Sequence, residues 1–239
     1  MAHQHSPPGL FITGTSTEVG KTYIAAAIAA QLYADGRRVG VYKPVASGCL
    51  QQTEGLLAED ALALWQAAGQ PGSLADVCPQ SFLAPLAPPL AAEAMGQQVD
   101  SALLRAGITC WQQQSEIILV EGSGGLMSPI SDTDCVANLA NDLGYPLLIV
   151  AANQLGVVNQ VLQTVVTART VCPDLELAGV VLNQVSPAGL DQSLASNCAL
   201  IEKHSQCAVL ADVGLDGTLP SSINWFDLAR TPCCQEAQA

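Results

Sequence analysis

Gly14-Thr15-Ser16-Thr17-Glu18-Val19-Gly20-Lys21-Thr22 is the stretch whose residue types could hold a polyphosphate. It follows the apolar run Leu10-Phe11-Ile12-Thr13 and opens the alanine-rich segment from Tyr23 to Ala34. Strand, glycine loop and helix in that order are the context a phosphate-binding loop requires. Glycines let the loop curl, so that successive N–H groups and the helix N-terminus face one anion. Lys21 would add a full positive charge for the outer phosphates, and the Thr22 hydroxyl could ligate the accompanying magnesium ion. Five residues, rather than the usual four, separate Gly14 from the Gly20-Lys21-Thr22 triplet. The bland alternative is an exposed turn before an ordinary helix. The agreement of strand, loop and helix argues against it.

Other apolar runs also end on groups fit for phosphate chemistry. Val39 to Lys43 is a short buried strand that stops at Pro44 and presents Lys43. Ile117-Ile118-Leu119-Val120 has the aliphatic character of a strand buried on both faces. It runs into Glu121-Gly122-Ser123-Gly124-Gly125, a second glycine-rich loop. Pro146 to Ala151 and Leu177 to Leu182 are further strands, the latter closing on Asn183. Strand ends in a parallel sheet lie side by side, so Lys21, Lys43, Glu121 and Asn183 should meet at one rim. Mg²⁺ prefers an octahedron of oxygens and usually takes one or two carboxylates plus phosphates. Thr22 and Glu121 supply two positions, and Asp60, at the start of a helix, could supply a third. Taken alone, Asp60 is an acid at a helix N-terminus and Lys43 a surface lysine.

Composition narrows the function classes. The 239 residues carry a formal net charge of −13 with only eight Lys plus Arg. Such an acidic chain offers no electrostatic footprint for nucleic acid or an anionic membrane surface. The lysines are Lys21, Lys43 and Lys203 alone, so each cation is informative. No apolar run approaches a membrane span, and Met1 to His5 lacks the basic start and apolar core of a signal peptide. Nine cysteines without a Cys-x-x-Cys pair suit a reducing, cytoplasmic setting. Cys198, His204 and Cys207 lie close in sequence but lack a fourth ligand, and are read as packing residues rather than a zinc site.

The remaining elements must position these groups. Residues 1–8 are expected to be a disordered leader and 9–239 one domain, with 215–239 a poorly defined tail. The first helix should stop at Asp35-Gly36. Helices are expected over Glu59–Ala68, Ser101–Gln113, Val136–Leu143, from Leu155-Gly156 to about Val171, and over Leu190–His204. Cys207 to Leu210 is expected to be a last strand. Residues 45–52 are read as a loop above the strand ends. Residues 71–90 hold five prolines and are read as an irregular, anchored loop of the kind that lines a site. The alternation predicts an α/β fold with a single doubly wound, mostly parallel sheet, P-loop NTPase-like, binding ligands beyond the C-terminal strand ends.

The glycine loop joins Tyr42-Lys43-Pro44-Val45-Ala46-Ser47-Gly48, Glu59-Asp60-Ala61 and Val120-Glu121-Gly122-x-Gly124-Gly125 in a combination that resembles dethiobiotin synthetases. Pro129-Ile130-Ser131-Asp132, Leu155-Gly156-x-x-Asn159 and Asn183 extend the resemblance over residues 9 to about 185. The five-residue gap in the glycine loop is that family's own. The chain departs from the family at Ser16, where Asp is frequent, at Gln154, where a basic residue can stand, and over its last sixty residues.

The resemblance implies closure of the ureido ring of dethiobiotin from 7,8-diaminononanoate, CO₂ and ATP, with Mg²⁺. It implies that Gly14, Thr15, Glu18, Val19, Gly20, Lys21, Thr22, Asp60, Glu121, Gly124 and Asn183 bind the nucleotide and its metal, the metal itself falling to Thr22, Asp60 and Glu121. It gives Lys21 and Lys43 the catalytic charges, and gives Thr17 and Ser47 to the reacting end of the diamine. Gly156, Val157, Val158 and Asn159 would hold the distant carboxylate across a homodimer interface. Two further classes share parts of the pattern. A partitioning-type switch ATPase usually carries an extra lysine early in the loop, where Thr15 stands. A cobyrinate-type amidotransferase needs an added glutaminase domain.

Overall fold

The computed structural model describes residues 6–187 and 191–230. Strand β1 (Gly9–Gly14) leads into helix α1 (Lys21–Ala34), and β2 (Val39–Tyr42) follows. A small hairpin, β3 (Leu50–Gln52) and β4 (Gly55–Leu57), precedes α2 (Glu59–Ala67). Four short helices come next: α3 (Leu74–Val77), α4 (Pro88–Glu93), α5 (Ser101–Ala106) and α6 (Thr109–Gln114). The chain then forms β5 (Ile117–Gly125), α7 (Val136–Leu143), β6 (Leu147–Ala152), α8 (Val157–Val171) and β7 (Leu177–Asn183). It ends with α9 (Leu194–Ser205), β8 (Val209–Val213) and α10 (Trp225–Leu228).

Six strands form one sheet in the order β2-β5-β1-β6-β7-β8, with every neighbouring pair parallel. All residues of β1, β2 and β6 are buried, which is why these strands are aliphatic runs without alternation. The order reverses at β1: β5 and β2 lie to one side, and β6, β7 and β8 to the other. A crevice opens at such a switch point, beyond the strand C-termini, and the glycine loop sits in it. The expected doubly wound α/β architecture is therefore the observed one.

Several boundaries differ from expectation for visible reasons. The helix expected over Ser101–Gln113 is two helices, α5 and α6. The Tyr42 hydroxyl bonds to the Leu103 and Leu104 carbonyls, both at 3.1 Å, and a Cβ at Gly107 would run into that hydroxyl. The expected loop past Val45 contains β3, and the proline-rich excursion contains α3 and α4, the latter with Pro88 and Pro89 in its first turn. The last strand begins two residues and ends three residues later than expected, at Val209–Val213. The start expected at Leu190 falls outside the described residues; α9 begins at Leu194.

Of the leader, residues 1–5 lie outside the described residues, while the Pro8 carbonyl already accepts from Ile118 N–H at 3.0 Å. Of the tail, residues 231–239 lie outside them. Residues 215–230 fold back over α1: Trp225 is buried and donates to Gln31 Oε1 at 2.8 Å, and Ala229 accepts from Gly9 N–H at 3.1 Å. Cys198 and His204 lie on α9, and the buried Cys207 precedes β8.

Trp111 is the largest fully buried side chain and ties α6 to α3 through Nε1 and the Asp76 carbonyl at 3.2 Å. Trp111→Ala should cost about 3–5 kcal/mol of stability from lost burial and the cavity left behind. Urea unfolding of the two proteins would measure it; an unchanged midpoint would contradict this packing.

Candidate active site

The glycine loop is built as its sequence demands. Gly20 has φ 86°, and a Cβ there would collide with the Asn183 side chain, so glycine is required on two counts. Helix α1 starts at Lys21 without a side-chain cap, which leaves its first N–H groups facing the loop. The Lys21 ammonium donates to the Ser16 carbonyl at 3.0 Å, folded across the loop it serves. Burial lowers its pKa, with the nearby Lys43 charge acting in the same direction.

Around this loop lies a cleft of ≈ 780 Å³. Thr17, Glu18, Gly20, Lys21 and Thr22 form its floor, and Lys43, Ser47, Asp60, Glu121 and Gly124 come from three other segments. Ten residues singled out in the sequence thus meet in one depression. Gly14 and Val19 are buried in the fold of the loop, and Thr15 faces an adjoining hollow of ≈ 460 Å³.

At the centre is a buried ion pair. Lys43 is 3% exposed and Glu121 1%. The Lys43 ammonium donates to Glu121 Oε1 at 2.5 Å and to Asp60 Oδ2 at 2.9 Å. Thr22 Oγ1 donates to the same Glu121 oxygen at 2.9 Å. Burial alone would lower the Lys43 pKa, but Glu121 and Asp60 outweigh it and hold the value above that of a free lysine. Burial likewise works against the ionised Asp60, and Lys43 more than offsets it, so the Asp60 pKa is lowered. Glu121 Oε2 is buried with no hydrogen-bond partner among the described residues. A buried carboxylate oxygen without a donor is costly, and it marks a place where a cation or donor fits.

The rest of the wall comes from the stretch read as lining a site and from two serines that the sequence did not single out. Pro85, Leu86, Ala87 and Pro88 line one side, so the proline-rich excursion does border the cleft. Ser123 and Ser128 line it as well. Ser123 Oγ donates to the Val45 carbonyl at 2.6 Å, and Ser128 Oγ accepts from Gly125 N–H at 2.8 Å. Ser123 follows the glycine-flanked acid, and that position was the available signal for it. Nothing in the local pattern marked Ser128.

Two expected groups lie outside the cleft wall. Asn183 is buried behind the loop, and its Nδ2 donates to the Val19 carbonyl at 3.1 Å. One of that amide's two N–H donors is taken up, which leaves the second and Oδ1 for a ligand. Gly156 to Asn159 open α8 beyond β6, where Gly156 has φ 95° and Leu155 is 80% exposed.

A family model described as an AAA domain matches residues 8–219. The ATP-dependent dethiobiotin synthetase of Rhodopirellula baltica is 40% identical over 214 residues, 85% of this chain and 82% of that protein. The enzyme of the same name from Escherichia coli K12 is 37% identical over 179 residues, 75% of this chain and 79% of its own. That of Pseudescherichia vulneris is 35% identical over 223 residues, 92% and 91% of the two chains. At that identity and coverage, the chain belongs to the ATP-dependent dethiobiotin synthetase family.

Proposed function

We propose that this protein closes the ureido ring of dethiobiotin from 7,8-diaminononanoate and CO₂ at the expense of ATP. The observation that carries the reading is the meeting of a glycine loop, Lys21, Lys43, Glu121 and Asp60 in one cleft. One amine of the diamine adds to CO₂ and loses a proton, giving a carbamate. A carbamate oxygen attacks the γ-phosphorus and ADP leaves. The second amine then attacks the carbamoyl carbon, phosphate departs and a second proton is lost.

The residues meet the demands of those steps. Carbamate and triphosphate are both anions, so cations must stand between them. Lys21 serves the triphosphate and Lys43 the transferred group. Thr17 and Ser47 hydrogen-bond the reacting end of the diamine, and the apolar wall at Pro85 to Pro88 suits its methylene chain. Phosphoryl transfer depends mainly on positioning and charge stabilisation, so no nucleophilic side chain is called for. Asn183 Oδ1 is suited to accept from an adenine amine.

Thr22, Asp60 and Glu121 form an oxygen donor set suited to Mg²⁺, and the partnerless Glu121 Oε2 fits a hard cation. The ion, when bound with ATP, would neutralise charge on the β- and γ-phosphates. Lys43 bridges Glu121 and Asp60, so the same carboxylates that would hold the ion also hold this ammonium in the cleft. From that position the Lys43 ammonium is close enough to the cleft to stabilise the carbamate.

Formation of labelled dethiobiotin from bicarbonate, dependent on ATP and diamine, tests the activity; no product from folded protein would refute it. Lys21→Ala and Lys43→Ala should each lose about 10²–10³ in kcat. ATP titration should separate them, since Lys21→Ala weakens ATP binding and Lys43→Ala leaves it largely intact. A near-normal kcat for Lys43→Ala would remove that residue from the site.

Glu121→Gln should raise the Mg²⁺ concentration needed for half-maximal rate. The amide oxygen can still accept from Thr22 and Lys43, so its melting temperature should fall less than that of Lys43→Ala. Mg²⁺ dependence equal to wild type would sink the ligand assignment.

The diamine's carboxylate lies several methylenes from its amines, and a protein of net charge −13 offers no bulk attraction for it. The uncapped start of α8 at Gly156, Val157, Val158 and Asn159 supplies backbone donors and a helix dipole instead. In this reading the turn serves the site of a second subunit in a homodimer. Gly156→Val should raise KM for diamine with little change for ATP, and Asn159→Ala should be mild. Full activity of a monomer, seen by sedimentation at assay concentration, would exclude the shared site.

A further inference from the structure

The segment after α3 runs alongside the loop that follows β2. Lys43 N–H donates to the Val77 carbonyl at 2.8 Å, and Ala46 N–H to the Gln80 carbonyl at 2.9 Å. Phe82 N–H returns to the Ala46 carbonyl at 2.9 Å, and Cys49 N–H donates to the Phe82 carbonyl at 3.0 Å. Ala46 and Ser81 form an isolated parallel bridge. The loop that carries Lys43 and Ser47 is therefore held by a strand-like partner that belongs to no sheet.

That partner is fixed in turn by one buried side chain. Gln80 is 8% exposed. Its Oε1 accepts from Asp100 N–H at 2.7 Å, and its Nε2 donates to the Asp100 carbonyl at 3.1 Å. Asp100 is the N-cap of α5, its carboxylate accepting from Ala102 and Leu103 N–H, both at 2.9 Å. The same helix receives the Tyr42 hydroxyl on its Leu103 and Leu104 carbonyls. Tyr42 immediately precedes Lys43. The two strands of chain that bracket the Lys43–Ser47 loop thus converge on one short helix, one through Tyr42 and the other through Gln80.

We propose that Gln80 is a positioning residue of the active site: its clasp on Asp100 sets where the Lys43–Ser47 loop stands relative to the glycine loop. The inference rests on the reading above in which Lys43 faces the transferred group and Ser47 the reacting end of the diamine. Gln80 does not line the cleft, and it acts through Ala46 and its neighbours. A misplacement of about 1 Å in such a loop can cost about 10² in rate. The glycine loop is carried by β1 and α1, which the clasp does not touch, so ATP binding should be spared. A merely packed, satisfied amide would instead lower stability and leave the kinetic constants alone.

The test is a double-mutant cycle between Gln80→Met and Ser47→Ala, read as kcat in the dethiobiotin assay. ATP binding is followed separately by titration. Gln80→Met keeps the length of the side chain and removes both hydrogen bonds. It should lower kcat roughly ten- to a hundredfold with ATP binding unchanged. In the Ser47→Ala background its effect should shrink, because residues that act through one loop are not additive. If Gln80→Met does not fold, Gln80→Glu serves in the same cycle, since it keeps the acceptor for Asp100 N–H and loses the donor. Additive losses, or a lower melting temperature with normal kcat, would overturn the assignment of Gln80. Absence of turnover in the wild-type protein would instead overturn the proposed activity, and this inference with it.

Discussion

The Lys43–Glu121 pair is the interaction on which the rest of the site depends. Two nearly inaccessible charges face each other, Lys43 just past the end of β2 and Glu121 midway along the adjacent β5, which continues through the expected second glycine loop to Gly125. Neither would be tolerated there alone: removing one member of a buried pair leaves an uncompensated charge and typically costs about 3–5 kcal/mol. Replacing both by apolar residues would be nearly neutral for stability by the same reasoning. Stability therefore gives little reason to keep the pair, and its chemistry is the reason that remains.

The pair also shows how so acidic a chain manages anionic ligands. With a net charge of −13, the long-range field disfavours a triphosphate and a carbamate alike. Two of the three lysines are therefore spent inside one cleft, where a lower dielectric makes each charge count for more. Lys21 is pulled toward neutrality by burial and by Lys43, while Lys43 is kept charged by Glu121 and Asp60. Glu121 and Asp60, the two acids of the cleft, thus keep the second lysine protonated. Loss of Asp60 would weaken that hold without exposing Glu121.

Much of this was legible in the sequence because the fold places strand ends together. Lys21, Lys43, Asp60 and Glu121 could be assembled from four separate stretches, since parallel strands at a switch point leave their C-terminal ends at one rim. The fully buried strands were equally readable, as aliphatic runs between glycine loops. What escaped was set by contacts distant in sequence. The break between α5 and α6 follows from a hydroxyl on β2 some sixty residues earlier, for which Gly107 was only a faint sign. The commitment of the Asn183 amide to Val19 O spans 164 positions and leaves no local trace. The hairpin β3–β4 is too short and too exposed for a period to show.

The two halves of the cleft are built on different principles. The nucleotide side rests on β1 and α1, a strand buried in the sheet and a helix packed on it, with geometry fixed by the core. The side assigned to the transferred group rests on a loop held by backbone bonds to the 77–84 segment, which hangs on α5 through Gln80. A loop of that kind can shift by a fraction of an ångström at small cost, which a helix in the core cannot do. Lys43 stands where the two supports meet: its backbone belongs to the loop and its ammonium to the acid of the sheet. Withdrawing the ammonium from Glu121 would change what holds the loop from the sheet side. The hydrogen bonds from Val77 to Ala84 would then become the main restraint on where Ser47 stands.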